Sequence, residues 1–536
     1  MSSRAKRQLP NTVALYDTTL RDGAQRKGIS FSLADKLKIA ALLDEFGVSY
    51  IEGGWPGSNP KDREFFQRVA GLGLKNARVV AFGSTRKAGG DCAADANLKA
   101  LIEAGTPTVA LVGKASALHV DQVLRVSRQE NLEMIFQSVR YMKDHGLETI
   151  FDAEHFFDGY AGDSEYAKDC LQAAEDGGAD WLVLCDTNGG TMPGTIARVV
   201  AEVESRFARG SIGVHCHNDS ELAVANSIAA VEAGARQVQG TINGYGERCG
   251  NANLISVVPA LQMKLGYQCV QPQKLAGLTE LSRAVSEIAN LSPDPYAPYV
   301  GSAAFAHKAG LHAAAVYRFA GSYEHIEPES VGNQREVLVS ELSGRGNLRH
   351  LARQLDVAGH EAETQLLSRV KELEQKGYKF EDARGSVELM LLRSDPAYRP
   401  PFQLLDMSVK AGNGKAEAVV KLEIGQCLSH TVAEGDGPVH ALDLALRKAL
   451  LPFFPELGEI KLVDYKVRIL DPENATGATT RVVIEAASGE ERWSTVGCSE
   501  NIIEASCQAL CESMELCLSR TRTHSDSSYK PREVVA

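Results

Sequence analysis

The chain has 536 residues, of which 44% are hydrophobic and 24% are charged, the balance of an ordinary soluble globular protein. This composition excludes intrinsically disordered and collagen-like classes. The formal net charge of −12 excludes the basic surface that binders of nucleic acid or anionic membranes carry.

Eleven cysteines occur without CxxC spacing, which indicates reduced thiols rather than a disulfide framework. The sequence contains neither a secretory leader pattern nor a run of about 18 apolar residues. These features predict a cytoplasmic protein that contacts neither a membrane nor nucleic acid.

Short β-branched runs alternate with amphipathic helical stretches from Val13 to about Leu265. Strands are predicted at 13–18, 50–54, 77–83, 108–113, 148–155, 181–187, 211–218 and 237–244. Eight successive βα units in about 250 residues are typical of a (β/α)8 TIM barrel, whereas a doubly wound sheet usually stops at five or six strands. We therefore predict an α/β fold with a TIM-barrel domain over 13–268, preceded by a disordered N-terminus over 1–12.

The pattern of apolar and polar residues changes twice after the barrel. Helices are predicted around 275–290 and 359–376, so residues 269–395 are predicted to form a helical linker subdomain. Beyond it the chain repeats itself: 404–411 matches 462–469, and 431–446 matches 495–510. Each half has the pattern of three strands and a helix, which predicts a duplicated α+β domain over 396–520, followed by a flexible tail over 521–536.

Unusual polar side chains follow the predicted barrel strands, where active sites of this architecture lie. Arg21 and Asp22 follow the first strand, Glu52 and Glu154 end the second and fifth, and Thr187 follows the sixth. Scattered surface polarity would not select the same end of each strand.

His215 and His217 form the strongest single motif. Residues i and i+2 of a strand point to the same face, so both imidazoles are predicted to enter the barrel mouth. With oxygens from Asp22 and Asn251, they would give the mixed ligation that suits Zn²⁺, Mn²⁺, Co²⁺ or Mg²⁺. An isolated pair of this kind would more often be two hydrogen-bonded histidines, but its position on the seventh strand favours a metal site.

The loop GYGERCGN at 244–251 follows the last barrel strand, which is the wrong context for a dinucleotide fingerprint. We interpret Gly244 and Gly246, together with Arg248, as a loop that lets the backbone approach a phosphate or carboxylate of a cofactor. An ordinary βα turn is the alternative. Neither a Walker A pattern nor a GxSxG elbow occurs.

Four segments together resemble the Claisen-condensing acyltransferases related to 2-isopropylmalate synthase: 15–25, 215–219, 244–251 and 307–316. The resemblance implies a metal-dependent barrel, a linker subdomain and a C-terminal amino-acid-sensing domain. The segments at 51–62, 81–89 and 152–160 are most similar to the citramalate synthase branch, with the 2-isopropylmalate and homocitrate synthases as neighbours.

That branch implies condensation of acetyl-CoA with pyruvate to (R)-citramalate and CoA, in isoleucine biosynthesis. Arg21 would donate to the developing alkoxide, while Thr187 and Glu52 would contribute to substrate binding. The resemblance points to Glu154, His312 and Tyr323 as the group that removes the proton from acetyl-CoA. His312 and Tyr323 lie outside the barrel sequence, so the linker subdomain is expected to cover a barrel mouth, by resemblance that of a partner subunit.

The C-terminal domain is expected to form a homodimer and to bind an amino-acid effector, with isoleucine as the favoured one. The segments 435–438 and 498–501 precede the two predicted helices and could hold its carboxylate, while Val439, Ile502 and Ile503 could line an apolar pocket. A purely structural dimerisation domain is one alternative. Two further alternatives concern the whole chain: a metal-dependent aldol-type lyase, and a regulator without catalytic activity.

Overall fold

The computed structural model describes residues 11–207, 211–337, 360–412, 414–489 and 491–524. The chain divides into two compact units. The first contains the chain up to Phe305 together with Ile326–Gln334, and the second contains Ala306–His325 and the chain from Arg335 onward. The described residues contain no helix that is both long enough and apolar enough to cross a bilayer.

The first unit is built on a closed barrel of eight parallel strands, as the sequence predicts. The strands are β1 Ala14–Asp17, β2 Tyr50–Gly54, β3 Arg78–Ser84, β4 Thr108–Lys114, β5 Glu148–Glu154, β6 Trp181–Asp186, β7 Ser211–Cys216 and β8 Gln237–Gly240. Each strand pairs with the next, and pairing of β8 with β1 closes the ring.

Helices surround the barrel: α1 Leu33–Phe46, α2 Pro60–Val69, α3 Ala96–Glu103, α4 Arg128–Asp144, α5 Phe156–Gly162, α6 Ser164–Gly177, α7 Pro193–Arg206, α8 Ala223–Glu232, α9 Leu254–Pro259 and α10 Leu278–Ile288. Helix α1 shows how local sequence sets an end. Ser32 and Asp35 form a reciprocal capping box at its start, and Gly47 ends it, as predicted, in the left-handed region at φ 99°.

Side chains alternate between the two faces of the barrel strands. Tyr16, Phe82, Ile150 and Val183 belong to a hydrophobic cluster in the interior, and Leu15, Ile51, Leu111 and Leu184 belong to the larger core between strands and helices. The interior also contains polar side chains near the carboxyl ends of the strands, including Glu52, Asp152, His215 and Gln239, all buried. This polar layer is the floor of the site described below.

The predicted end of the barrel domain at 268 differs from the boundary of the first unit. Leu278, Leu281 and Val285 of α10 join the hydrophobic core around the barrel, so the helix packs as part of this unit. At the other end, Asn11 donates to the carbonyl of Gly266 at 2.7 Å, and Thr12 bridges Gln268. Asn11 and Thr12 are therefore ordered by pairing, whereas residues 1–10 lie outside the described residues.

The second unit contains the short strands β9 Ala306–His307 and β10 Glu336–Val337, followed by helices and two sheets. Its helices are α11 Gly310–Arg318, α12 His360–Gln375, α13 Arg384–Ser394, α14 Pro438–Leu450 and α15 Ile502–His524. Its longer strands are β11 Gln403–Gly412, β12 Lys415–Ile424, β13 Cys427–Gly435, β14 Lys461–Ile469, β15 Thr480–Ser488 and β16 Glu491–Ser499.

The predicted boundary at 395 also differs from what the structure shows. Ser386 of α13 accepts the backbone N–H of Val496 in β16, and Arg393 forms an ion pair with Glu515 of α15. Helix α13 is thus tied to the C-terminal repeat. Helix α15 continues to His524, beyond the predicted start of the tail at 521, and residues 525–536 lie outside the described residues.

The predicted duplication is confirmed by two antiparallel sheets of three strands, each followed by a helix. Both first strands carry a register shift at the same position of the repeat, between Leu404 and Asp406 and between Leu462 and Asp464. One side-chain bond is repeated as well: Thr431 donates to the carbonyl of Ala445 at 2.8 Å, and Thr495 donates to that of Ala509 at 2.7 Å.

Candidate active site

A cavity of about 640 Å³ opens at the carboxyl ends of the barrel strands. Side chains that the sequence predicts for the site line it together with apolar residues such as Trp55, Phe82 and Met134. The predicted residues in its wall are Arg21, Asp22, Glu154, Thr187, His215, His217 and Arg248. The barrel therefore brings together groups that follow strands β1, β5, β6, β7 and β8.

Asp22, His215 and His217 form a buried cluster in which one potential ligand atom from each lies within 4.8 Å of the others. The Nε2 atoms of the two histidines are 3.3 Å apart, and Oδ2 of Asp22 lies 3.5 Å from Nε2 of His215 and 3.9 Å from Nε2 of His217. Two imidazole nitrogens and a carboxylate oxygen converge on one point, as a metal site requires.

Electrostatics keep Asp22 and His217 in the forms that bind a metal. Although burial opposes ionisation, the Arg21 guanidinium and the two imidazoles hold the pKa of Asp22 well below its usual range. Burial, together with the neighbouring His215, lowers the pKa of His217 to about 4. At neutral pH the carboxylate is therefore ionised and His217 is neutral, the forms in which both side chains bind metals.

Asn251 stands beside the cluster. It forms an antiparallel bridge with His217, and directly opposed residues of such a pair place their side chains on the same face. Its Nδ2 donates to the carbonyl of Tyr245 at 3.2 Å, whereas its buried Oδ1 has no hydrogen-bond partner in the described part of the chain. An unpaired amide oxygen in the interior fits the fourth ligand that the sequence predicts.

The glycines of the loop after β8 support Asn251. A Cβ at Gly246 would lie 2.2 Å from Nδ2 of Asn251, and one at Gly250 would lie 2.0 Å from the carbonyl oxygen of Gly244. Gly244 and Gly246 do not line the cavity, whereas Arg248 does. The observed role of these glycines is close backbone packing, and their predicted contact with a cofactor stays a prediction.

Arg21 is held by two buried side chains, Glu52 and Phe82. Its Nε donates to Oε2 of Glu52 at 2.5 Å, and its Cζ lies 3.9 Å from the ring centroid of Phe82. Glu52 also accepts the hydroxyls of Tyr16 and Thr18. The sequence predicts that Glu52 binds substrate, but its side chain is fully buried and absent from the cavity wall. Its contacts hold Arg21 in place, and its role in substrate binding stays a prediction.

Two further predicted residues have defined partners. Oγ1 of Thr187 accepts the backbone N–H of His155 at 2.9 Å, which leaves the hydroxyl hydrogen of Thr187 to donate elsewhere. Arg248 forms a two-bond pair with Asp219 at 2.8 and 3.0 Å. Both side chains are thereby fixed at the rim before any ligand binds.

Glu154 forms an ion pair with Lys114, a cavity residue that the sequence analysis missed. The predicted partners of Glu154, His312 and Tyr323, belong to the second unit. Both are exposed there, and their rings stack with centroids 4.2 Å apart. The structure thus pairs His312 with Tyr323, and their approach to a barrel mouth stays a prediction.

Gln239 and Asp152 were also missed, although both belong to the polar floor of the barrel. Gln239 contacts the His215 imidazole, and Asp152 lines the cavity. A signal was present in the sequence, because polar residues in otherwise apolar barrel strands are costly unless they are paired. Their partners lie on other strands, and the sequence does not identify them.

Three family matches divide the chain. Residues 12–285 match the HMGL-like family, residues 299–378 match the homocitrate synthase post-HMGL domain-like family, and residues 384–518 match the LeuA allosteric (dimerisation) domain. The barrel, its candidate metal ligands and the first of these matches lead to one conclusion. The chain belongs to the HMGL-like family of enzymes.

Comparison with curated proteins narrows this assignment. An (R)-citramalate synthase of Aquifex aeolicus is 50% identical, covering 94% of this chain and 97% of the relative. One of Geobacter sulfurreducens is 49% identical with the same coverage. A protein of Methanopyrus kandleri described as a probable 2-isopropylmalate synthase is 34% identical over 94% of this chain and 97% of its own. Within its family, the chain is a condensing transferase of the citramalate synthase type.

The loop packing generates a prediction. Gly250→Ala should displace the loop and Asn251, and should weaken Mn²⁺ binding by about tenfold or more, since a supporting contact of a ligand is lost. Mn²⁺ titration followed by the electron paramagnetic resonance of the free ion measures this. Gly47→Ala is the matched control, because Gly47 has the same φ of 99° with nothing within 4 Å of an added Cβ. Equal Mn²⁺ affinities in both variants would contradict the role of the loop.

Proposed function

We propose that the chain catalyses the metal-dependent condensation of acetyl-CoA with pyruvate, which gives (R)-citramalate and CoA. The observation that carries the proposal is the buried cluster of Asp22, His215 and His217 beside Arg21 in the barrel cavity. The names of the full-length relatives at 49% and 50% identity support the choice of substrates.

The residues of the cluster fit a divalent cation. Asp22 and Asn251 each have a buried oxygen without a hydrogen-bond partner in the described part of the chain, and the histidine Nε2 atoms lie in contact with each other. Such an arrangement is unfavourable unless a cation occupies the space between the groups. A bound divalent ion would act as a Lewis acid on the carbonyl of the 2-oxo acid.

Arg21 supplies the fixed positive charge. Burial opposes its ionisation, but the charges of Glu52 and Asp22 outweigh burial and raise the pKa of Arg21, so the side chain stays protonated. A guanidinium held by Glu52 and Phe82 can donate to the developing alkoxide without reorganising during the reaction. Thr187, held by the backbone of His155, can donate to the substrate carboxylate.

The proton of the acetyl methyl group needs a base. Glu154 lines the cavity and is paired with Lys114, which keeps a cation beside the carboxylate. We assign the proton transfer to the group of Glu154, His312 and Tyr323. The stacked rings of His312 and Tyr323 would reach the cavity of a partner subunit.

The first test is a panel of 2-oxo acids with acetyl-CoA, followed by the release of the CoA thiol. We expect kcat/KM with pyruvate to exceed that with 2-oxoisovalerate, the substrate associated with the 2-isopropylmalate synthase alternative. The opposite order would overturn the citramalate assignment. Heat-inactivated protein serves as the control for uncatalysed thiol release.

The second test addresses Arg21. Arg21→Ala should keep its bound metal and lose roughly 10²- to 10³-fold in kcat, as expected for removal of a charge-stabilising donor. Because Glu52 is fully buried, Arg21→Lys is needed as a second variant that keeps a positive charge beside it. We expect Arg21→Lys to lose most of its kcat as well, since an ammonium group does not reproduce the planar set of N–H donors of a guanidinium. Turnover within threefold of wild type in both variants would rule out the proposed role.

We further propose that the duplicated domain senses isoleucine, the end product of the pathway that citramalate would enter. A cavity of about 510 Å³ lies between the two repeats. Apolar side chains dominate its wall, among them Val439, Ile460, Ile484 and Leu510. Val439 was predicted for such a pocket, whereas Ile502 and Ile503 do not line this cavity.

Asp443 gives the same cavity a polar end. Its Oδ2 accepts from Nε of Arg447 at 2.8 Å, while its buried Oδ1 has no hydrogen-bond partner within the described ranges. An apolar pocket with one unsatisfied carboxylate oxygen suits a ligand that combines an ammonium group with a branched apolar side chain. This chemistry supports a branched-chain amino acid.

Dimerisation through this domain has support from exposed apolar residues. The edge strand β14 exposes Leu462, Val463, Val467 and Ile469. A row of apolar side chains along an edge strand favours association with another copy of the chain. We propose a homodimer in the cytoplasm, in keeping with eleven cysteines that all lie free.

The third test titrates isoleucine, leucine and valine against enzyme activity. Isoleucine should inhibit the full chain most strongly, and a chain that ends just before α13, near residue 383, should not respond to it. Asp443→Asn should weaken the inhibition about tenfold or more, since a charge-assisted hydrogen bond is lost. Glu434→Gln, the same change of charge at an exposed position of the same repeat, is the control. Undiminished inhibition of the truncated chain would place the effector elsewhere.

A further inference from the structure

Three buried side chains from three barrel strands form a hydrogen-bonded chain beneath the candidate metal site. Nδ1 of His215 in β7 lies 2.9 Å from Oε1 of Gln239 in β8, and Nε2 of Gln239 donates to Oδ1 of Asp152 in β5 at 2.9 Å. All three side chains are buried, so these hydrogen bonds are shielded from bulk water.

The direction of this chain is set by the Gln239 amide. Its Nε2, which can only donate hydrogen bonds, donates to Oδ1 of Asp152. The amide oxygen must then face His215. Nδ1 of His215 consequently carries the proton and donates it, which leaves the lone pair on Nε2. That lone pair faces Oδ2 of Asp22 and Nε2 of His217.

The two histidines of the site differ in this respect. His215 is held through Nδ1, whereas Nδ1 of His217 is buried without a hydrogen-bond partner in the part of the chain that the structure describes. A reverse orientation of the Gln239 amide would point an N–H toward Nδ1 of His215 and an oxygen toward Asp152. It would favour the tautomer with a proton on Nε2, which cannot bind a metal through Nε2, the atom that faces Asp22 and His217.

We infer that Gln239 and Asp152 are positioning residues that fix the metal-binding tautomer and orientation of His215. Gln239 contacts no reacting atom and acts through His215, and Asp152 acts through Gln239. The inference rests on the proposed metal-dependent function and adds two residues to it. Neighbouring Gln237, whose Oε1 lies 3.4 Å from Nε2 of Gln239, forms no hydrogen bond with either histidine among the described residues.

The test measures Mn²⁺ affinity by titration of the full chain, with free Mn²⁺ followed by electron paramagnetic resonance. Gln239→Met keeps the length of the side chain and removes the acceptor, so Mn²⁺ should bind 10- to 100-fold more weakly. The double variant Gln239→Glu with Asp152→Asn exchanges the amide and the carboxylate. It keeps the net charge and an acceptor for Nδ1–H, and should restore binding to within about threefold of wild type. Gln237→Met is the control and should bind as wild type does.

Thermal unfolding of each variant accompanies the titration, and the exchanged double variant keeps the test decisive if Gln239→Met does not fold. Wild-type affinity in folded Gln239→Met would overturn the inference. Weak binding by a folded double variant, or an equal loss in Gln237→Met, would also overturn it by indicating a packing effect alone. Absence of Mn²⁺ binding by the wild-type chain would instead overturn the proposed metal-dependent function itself.

Discussion

The pairing of β8 with β1 is the constraint on which the site depends. The eight strands are parallel, so their carboxyl ends lie on one side, and closure of the ring arranges these ends in a circle. It thereby brings Asp22, which follows β1, next to His215 of β7 and Asn251 after β8, residues far apart in the chain. An open sheet with the same strands would leave β1 and β8 on opposite edges, and the cluster would not form.

The barrel floor concentrates charges that a core of the same size would otherwise avoid. Burial raises the pKa of Asp17 and of Asp152 to about 7 each, while burial and its acidic neighbours raise that of Tyr16. Such groups oppose stability unless each has a partner. Each of these three groups has one: Thr19 donates to Asp17, Gln239 donates to Asp152, and Tyr16 donates to Glu52. Local rules of core packing are broken where the chemistry is proposed to occur.

The second unit contains the duplicated domain, for which we propose a response to a small molecule. Its two repeats share a bulge at the same position and a hydrogen bond from a threonine hydroxyl to the following helix. The two halves therefore have the same strand register and the same contact between sheet and helix. Between two such halves a cavity remains, walled by residues from both. A ligand there would change activity only if it bound two states of the protein with different affinity, which is the condition that the proposed feedback must meet.

The sequence alone determined the fold class and identified seven residues of the cavity wall. Period-two runs and helical periodicity are local properties, so eight strands, the duplicated domain and Gly47 as a helix end could be predicted. The alternation of side chains along β7 likewise placed His215 and His217 on one face. Tertiary structure decided the rest: that Glu52 accepts from Arg21, and that Gln239 joins His215 to Asp152. These contacts join strands distant in the chain, and their partners follow from the closure and register of the barrel, which no local pattern encodes.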